Sequence, residues 1–365
     1  MSVRPKRVRP FVSRPRCIYT GKPLDSADEK LKPSHEHIVP LALGGSNQFT
    51  TDDVSECANH RAGNEIDDEV ANSLPFLMLR HRYKLSGHRK KVPNLKLRGE
   101  FIDINAPARL EVTESGDLVF EFEDEQKTSG QIVTLASTEE RIRFLLRGRL
   151  AQANKRRLSL ITEFGEIKDE EDIQIALMLA DRHEGREFKA KVTIDTAAFH
   201  AARAHLLVKI ALGLGHRVLG PEWTFGPGGM MLRSHLFPGQ KDLNFGRLKG
   251  TINADLPDVI PQLFGITEDR HVMAILPMKR TVALIALFGG QIGTAVIDLG
   301  IDSRRLLNRA LRNKEPLDCA FSIPLNVKGS RPLQTRSIQE IASLGDLNNL
   351  LPESRAAAEM QLRDR

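Results

Sequence analysis

The sequence predicts an α+β fold with helices and antiparallel strands, and three observations carry that expectation. An alternating hairpin runs over 109–122, a capped helical pattern follows from Ser137, and three apolar strand patterns succeed one another between 271 and 299. At 365 residues the chain has room for two domains with separate cores. Its 41% hydrophobic and 27% charged content is ordinary for a globular protein and argues against disorder.

Taken in order, residues 1–16 form a basic arm punctuated by Pro5, Pro10 and Pro15. Cys17-Ile18-Tyr19-Thr20-Gly21-Lys22 suits the knuckle of a small hairpin, and Glu36 to Leu41 reads as a strand closed by a turn at Gly44-Gly45. Ala62, Ile66, Val70 and Leu74 recur at helical spacing, predicting a helix that starts near Asn59 and is bent or restarted by Pro75. The segment 17–85 is one module, and the basic stretch 86–99 reads as a linker. In the hairpin, Leu110 to Thr113 alternates outward, Glu114 to Asp117 turns, and Leu118 to Phe122 returns. Ser137-Thr138-Glu139-Glu140 is a capping-box start for a helix reaching about Thr162. A further helix is expected over Asp169–Arg182, a strand over Phe188–Ile194 and an apolar helix over Ala197–Leu214. His271–Leu276, Thr281–Phe288 and Gly293–Leu299 are expected to form an antiparallel meander. Residues 100–303 thus read as a larger α+β partner domain that binds DNA, forms a homodimer or senses a signal. Residues 304–365 read as a polar extension, loosely helical or disordered from Ser354.

Charge points to a class of partner. The formal charge is +6, but its distribution matters more than its sum. Arg4, Lys6, Arg7, Arg9, Arg14 and Arg16 precede any acidic residue. Arg80, Arg82, Lys84, Arg89, Lys90, Lys91, Lys96 and Arg98 form a second run without an acid. Such runs attract phosphate, as a nucleic-acid partner requires, although a solvated basic surface has the same composition. No run of 18 apolar residues predicts a membrane span, and the basic N-terminus lacks the apolar stretch of a secretory signal. Three cysteines (Cys17, Cys57, Cys319) make no disulfide framework, which favours a reducing cytoplasm. Aromatics are scarce at 5%, against a single-strand stacking platform.

The chemistry concentrates between the two basic runs. His35-Glu36-His37-Ile38-Val39-Pro40-Leu41-Ala42-Leu43-Gly44-Gly45 is followed by Cys57-Ala58-Asn59-His60-Arg61-Ala62-Gly63-Asn64. A carboxylate beside a histidine, with an Asn/His cluster downstream, supplies one general base and oxygen donors for one hard cation. With Cys17-Ile18-Tyr19-Thr20-Gly21 at its start and Asp67 at its end, this segment resembles the HNH endonuclease family over about the first fifth of the chain. The resemblance implies a ββα-metal finger cleaving DNA phosphodiesters, as in restriction or anti-phage defence, with RNA or a non-catalytic nucleic-acid-binding scaffold as alternatives.

The resemblance also implies roles. His37 would be the general base, at an unperturbed pKa suited to neutral pH. Glu36 and Asn59 would ligate one Mg²⁺ or Mn²⁺, with His60 replacing or assisting Asn59, and Arg61 would hold the phosphate. His35 is an accessory substrate contact or ligand. Arg14, Arg16, Arg82, Lys84, Arg89, Lys90 and Lys91 would bind the nucleic-acid backbone. Many members carry a structural zinc on two Cys-x-x-Cys pairs; here the positions are Cys17, Thr20, Ser55 and Ala58, so no zinc is expected and packing or hydrogen bonds hold the knuckle. The brace behind the general base falls nearest Thr50 or Thr51, with Asn47 slightly early.

Other signals are weaker. Gly226-Pro227-Gly228-Gly229 lacks the Lys-Ser/Thr of a phosphate cradle and reads as a tight turn after Trp223. His200, His205 and Lys209 share a helical spacing that lines a pocket or a half-exposed face. Arg141, Arg143, Arg147, Arg149, Lys155, Arg156 and Arg157 make a basic helix, either nucleic-acid surface or solvated.

Overall fold

A computed structural model describes residues 15–87, 92, 95–101, 106–112, 118–122, 139–180, 190–192, 196–239, 248–251, 263–265, 269–277, 280–303, 306, 316–327 and 331–343. The fold is mixed helix and strand, as expected. The chain divides into two compact units: Met1–Val92 together with Asp195–Arg365, and Pro93–Ile194. Residues 195–303, read from the sequence with the partner domain, therefore share a unit with the N-terminal module.

The first unit opens with a knuckle in which the Cys17 amide donates to the Lys22 carbonyl and the Gly21 amide to the Cys17 carbonyl. Strands β1 (Pro33–His37) and β2 (Thr50–Ser55) pair antiparallel, His37 opposite Thr50. β1 lies earlier than the expected 36–41, because Pro40 ends the ladder and Leu41–Leu43 form a 3₁₀ turn. Helix α1 (Glu56–Ala62) starts directly after β2, widens into a π-turn over Gly63–Asp67, and continues as α2 (Asp68–Ala71). α3 (Leu74–Arg82) has Pro75 in its first turn, the position where a missing N–H costs nothing.

The second unit pairs β3 (Leu95–Phe101), β4 (Ala106–Val112), β5 (Leu118–Phe122) and β8 (Ala190–Val192) in the antiparallel order β5-β4-β3-β8. The expected hairpin is β4–β5, with Val112 opposite Leu118; its turn at 113–117 lies outside the described residues. The stretch expected as linker contributes β3. Helix α4 (Glu139–Arg156) stops short of Thr162. Arg157 takes a left-handed φ of 56°, with the Leu158 amide on Ala153 and the Arg157 amide on Asn154, a Schellman end. A hairpin of β6 (Leu160–Thr162) and β7 (Gly165–Ile167) precedes α5 (Glu170–Leu179), which Asp169 caps through the Glu171 and Asp172 amides. Leu146, Ile167, Ile173, Ala176 and Leu177 make this region's small core. Arg147 forks onto Glu170 at 2.5 and 2.7 Å, so part of the basic helix faces a carboxylate.

The first unit resumes with α6 (Thr196–Leu219), α7 (Pro221–Phe225) and α8 (Pro227–Arg233). α6 is long and apolar enough to cross a membrane by length and composition, yet it runs largely buried through the core. A sheet follows from β9 (Leu248–Thr251), β10 (Arg270–Pro277), β11 (Thr281–Ala286), β12 (Thr294–Asp298), β13 (Asp318–Pro324) and β14 (Gln334–Ser337), and α9 (Ile338–Ser343) closes the described chain. Its order is β14-β13-β10-β11-β12-β9, antiparallel throughout, and β10–β11–β12 is the expected meander. β11 ends before Phe288, whose left-handed φ of 52° is held by its amide donating to His271 Nδ1 at 3.0 Å. Ile38, Phe49, Ile66, Phe76, Leu206, Ile210, Phe288 and Phe321 belong to one continuous core, so the N-terminal module is built onto α6 and this sheet. The stretch expected as a tight turn, Gly226-Pro227-Gly228-Gly229, instead caps and opens α8, and its glycines allow close packing: a Cβ on Gly229 would lie 2.0 Å from the Thr224 carbonyl.

Candidate active site

Strand alternation sorts the His-Glu-His triplet. Ser34 and Glu36 of β1 face the interior, while His35 and His37 face outward, their rings 5.4 Å apart and nearly perpendicular. Each imidazole is held by a different partner. His37 Nε2 lies 3.0 Å from Asn47 Oδ1, and His35 Nδ1 lies 2.9 Å from Asp52 Oδ1. Both partners are acceptors, so each contacted nitrogen carries the hydrogen and the opposite nitrogen carries the lone pair of the neutral ring.

The turn behind His37 delivers Asn47. Gly44 sits at φ 95° with Leu325 and Leu85 packed where a side chain would project, and a Cβ on Gly45 would fall 1.9 Å from the Val39 carbonyl. Only glycines allow the chain to double back so tightly. A register shift delivers Asp52: Ser34 pairs with Val54 and Glu36 with Thr51, so Asp52 and Asp53 together oppose His35. That β-bulge turns Asp52 outward to His35 and Asp53 toward His216 of α6, 2.9 Å away. His216 is anchored on its other nitrogen by the buried Thr224 hydroxyl, making a bracket between β2 and α7.

On the inner face, Glu36 is 4% exposed and its Oε1 accepts from the Tyr19 hydroxyl at 2.9 Å and from Lys209 Nζ at 2.6 Å. Lys209, fully buried on α6, also reaches Asp67 Oδ2 at 2.6 Å. Burial alone would lower the Lys209 pKa, but the two carboxylates overcome it and the ammonium is held above its ordinary value. One cation serves two carboxylates, and Asp67 Oδ1 is buried with no hydrogen-bond partner among the described residues. Burial accordingly lifts Asp67 to about 6 against the pull of Lys209, and burial beside Glu36 pushes the Tyr19 hydroxyl well up.

Helix α1 braces this strand. The Asn59 amide nitrogen donates to the Ser34 hydroxyl and, at 3.3 Å, to the His35 carbonyl, fixing the backbone between the two histidines. His60 is exposed and meets Asn64 one turn on, at 3.2 Å. Arg61 lies 4.1 Å over the Phe237 ring and pairs with Glu65 at 2.9 Å. Arg16 is exposed, donates to the Gly21 carbonyl and stacks on Phe225; Arg82 is exposed and reaches Gln291; Lys84 is exposed. Arg14, Arg89, Lys90 and Lys91 lie outside the described residues.

These placements test the implied metal. Glu36 is turned inward onto an ammonium and a phenol, Asn59 presents its amide nitrogen to β1, and His60 points to Asn64. A divalent ion on Glu36 would stand beside the Lys209 charge, which already fills the cation's place between Glu36 and Asp67. Among the described residues no three His, Cys, Asp or Glu side chains converge as ligands. The residues do not fit the metal. At the knuckle, the Ser55 amide and hydroxyl both approach the buried Cys17 sulfur, at 3.4 and 3.6 Å, while Cys57 is exposed.

Sequence reasoning noted Lys209 only as lining a pocket or a half-exposed face, placed Asn47 slightly early for the brace of His37, and did not single out Asp52. The signal for Lys209 was its place as the lone Lys or Arg in the apolar run 204–214. No family model, no curated protein and no solved structure matches the chain.

Proposed function

We propose that this chain is an endonuclease, cleaving phosphodiesters of nucleic acid on an HNH-like ββα unit with His37 as general base. The observation that carries the reading is the outward His37 with one nitrogen held 3.0 Å from Asn47, on a hairpin strand braced by Asn59 of the helix that follows. An imidazole oriented by a hydrogen bond to an amide oxygen is held in the manner of a positioned base. The exposed Arg16, Arg82 and Lys84 supply cations for the phosphate backbone. A second reading, a nucleic-acid-binding scaffold without catalysis, draws on Glu36 being occupied by Lys209.

Purified protein incubated with supercoiled plasmid and with mixed-sequence RNA, in Mg²⁺, Mn²⁺ or EDTA, separates the readings. Cleavage lost by about 10²-fold or more in His37→Ala supports the proposal. Cleavage that persists in His37→Ala sinks it, and salt-dependent binding without cleavage in any condition establishes the scaffold.

A further inference from the structure

Two guanidiniums converge on the N-terminal knuckle. Arg233 of α8 is fixed by backbone carbonyls from two separate segments: its Nε donates to Ile18 and its Nη2 to Thr224, both at 2.8 Å. Arg16 Nε donates to the Gly21 carbonyl at 2.8 Å. The Arg16 and Arg233 guanidiniums both lie against the Phe225 ring, 4.7 and 5.4 Å from its centroid. Their terminal nitrogens meet at Gly21, where a Cβ would stand 3.3 Å from Arg233 Nη1 and 3.7 Å from Arg16 Nη2. Among the described residues no acceptor takes either of these two nitrogens, and no carboxylate pairs with either side chain. Asp53, whose carbonyl receives the Ile18 amide, turns its carboxylate to His216 instead.

Like charges this close repel, and burial together with Arg16 lowers the Arg233 pKa. An aromatic ring and three carbonyls nevertheless hold the pair in place, which readies it for an anion. Building on the endonuclease reading, we infer that Arg16 and Arg233 form a two-guanidinium site that grips one phosphate of a nucleic-acid backbone. The non-bridging oxygens of that phosphate accept from Arg233 Nη1 and Arg16 Nη2, in charge-assisted bonds suited to the planar fork of arginine. Arg233 supplies rigidity, because the two carbonyls leave Nη1 as its offered nitrogen. Arg16 is exposed and Arg233 half-buried, so the site opens on the surface, as a phosphate that is one link of a polymer requires. Lys22, exposed and next to Gly21 in the chain, adds a cation beside it. Arg16 belongs to a basic run that sequence alone marks, whereas folding alone brings Arg233 to the same point.

The test uses the full chain in EDTA with fluorescein-labelled duplex DNA and single-stranded RNA, read by anisotropy over a range of salt concentrations. Arg16→Gln should weaken binding about tenfold. It should also flatten the slope of log K against log salt, by about 0.9 on the duplex and about 0.7 on the single strand. Arg233→Lys keeps the charge and loses the fork, so affinity should fall while the slope stays. Because both arginines hold one phosphate, the double variant should lose less than the product of the two single losses. Arg16 is exposed, so Arg16→Gln should melt close to wild type. Equal affinity and slope in wild type and Arg16→Gln overturn this site, while wild-type binding keeps the nucleic-acid reading. Single losses that multiply in the double variant overturn the shared phosphate. A parallel thermal melt compares inorganic phosphate with chloride at equal ionic strength. Stabilisation by phosphate that Arg16→Gln abolishes, without binding to DNA or RNA, makes the ligand a free phosphate and overturns the nucleic-acid assignment. Neither nucleic-acid binding nor a phosphate effect overturns the site and the endonuclease reading together.

Discussion

Lys209 is the residue on which the inner half of the site depends. It lies fully buried between Glu36 and Asp67, each at 2.6 Å, and removing one member of a buried charge cluster costs far more than the cluster contributes over an apolar substitute. Lys209→Met keeps the length of the side chain and removes the charge, leaving two buried carboxylates with no cation. We expect a loss of about 3–5 kcal/mol in urea unfolding at pH 7. The loss should shrink toward pH 5, because Asp67 already titrates at about 6 and neutralises more readily without its partner. A variant as stable as wild type at both pH values would show that the cluster is not electrostatically closed. At this scale the sequence was legible where chemistry is local. Alternation alone separates Glu36 from His35 and His37. It could not reveal the partners of Lys209, which meets Asp67 across 142 positions, nor Asp52, whose outward turn comes from a bulge that no local pattern marks.

At the scale of elements, α6 illustrates how a stop signal can mean contact. Gly213 and Gly215 suggest an end near Leu214, yet the helix runs on to Leu219 and Gly220, at φ 80°, ends it. A Cβ on Gly213 would come 3.1 Å from Ile38, the residue after His37, and one on Gly215 would fall 2.2 Å from the Trp223 ring. These glycines let α6 approach the β1–β2 hairpin and α7. Similarly, the meander was readable from three alternating apolar runs, whereas the ends of β1 and β11 were not: the tight turn that Pro40 opens sets the first, and the distant partner His271 of Phe288 sets the second. Two substitutions weigh helix propensity against packing. Gly215→Ala would gain about 0.5–1 kcal/mol of propensity, but overpacking against a buried ring costs about 1–3 kcal/mol and should win. Gly63→Ala, at φ −56° with nothing within 4 Å of the new Cβ, should stabilise by up to about 1 kcal/mol. Thermal melts reversed in sign from these would refute the close approach of α6 and Trp223 or the helical geometry at Gly63.

Across the first unit as a whole, His271 links the sheet to the site. Its Nε2 donates to the Leu43 carbonyl at 2.8 Å, in the turn between His37 and Asn47, and its Nδ1 accepts from Phe288. Burial above all, with Arg331 nearby, lowers its pKa to about 4 despite the Leu43 bond. The unfolded imidazole titrates near 6.5, so the folded state binds fewer protons between those values. Its contribution is therefore fully present above pH 6.5 and is lost as pH falls toward 4, about 3 kcal/mol in all. Asp67 works in the opposite sense. Raised from 3.8 to about 6, it favours the folded state at low pH and loses that contribution, also about 3 kcal/mol, as pH rises through 6. Between pH 4 and 6 the two groups offset each other, and single substitutions expose them. The difference in unfolding free energy between wild type and His271→Gln should narrow on acidification from pH 6.5 to 4, because the wild type alone carries the penalty of charging His271. The advantage of wild type over Asp67→Asn should instead widen over the same descent. Urea titrations at half-unit steps measure both, and differences that stay constant with pH would mean that neither group is held in its buried state. Protonating His271 removes the acceptor that holds Phe288, so amide exchange at Phe288 should accelerate in step with the narrowing stability difference, ahead of the strands β10 and β11 on either side.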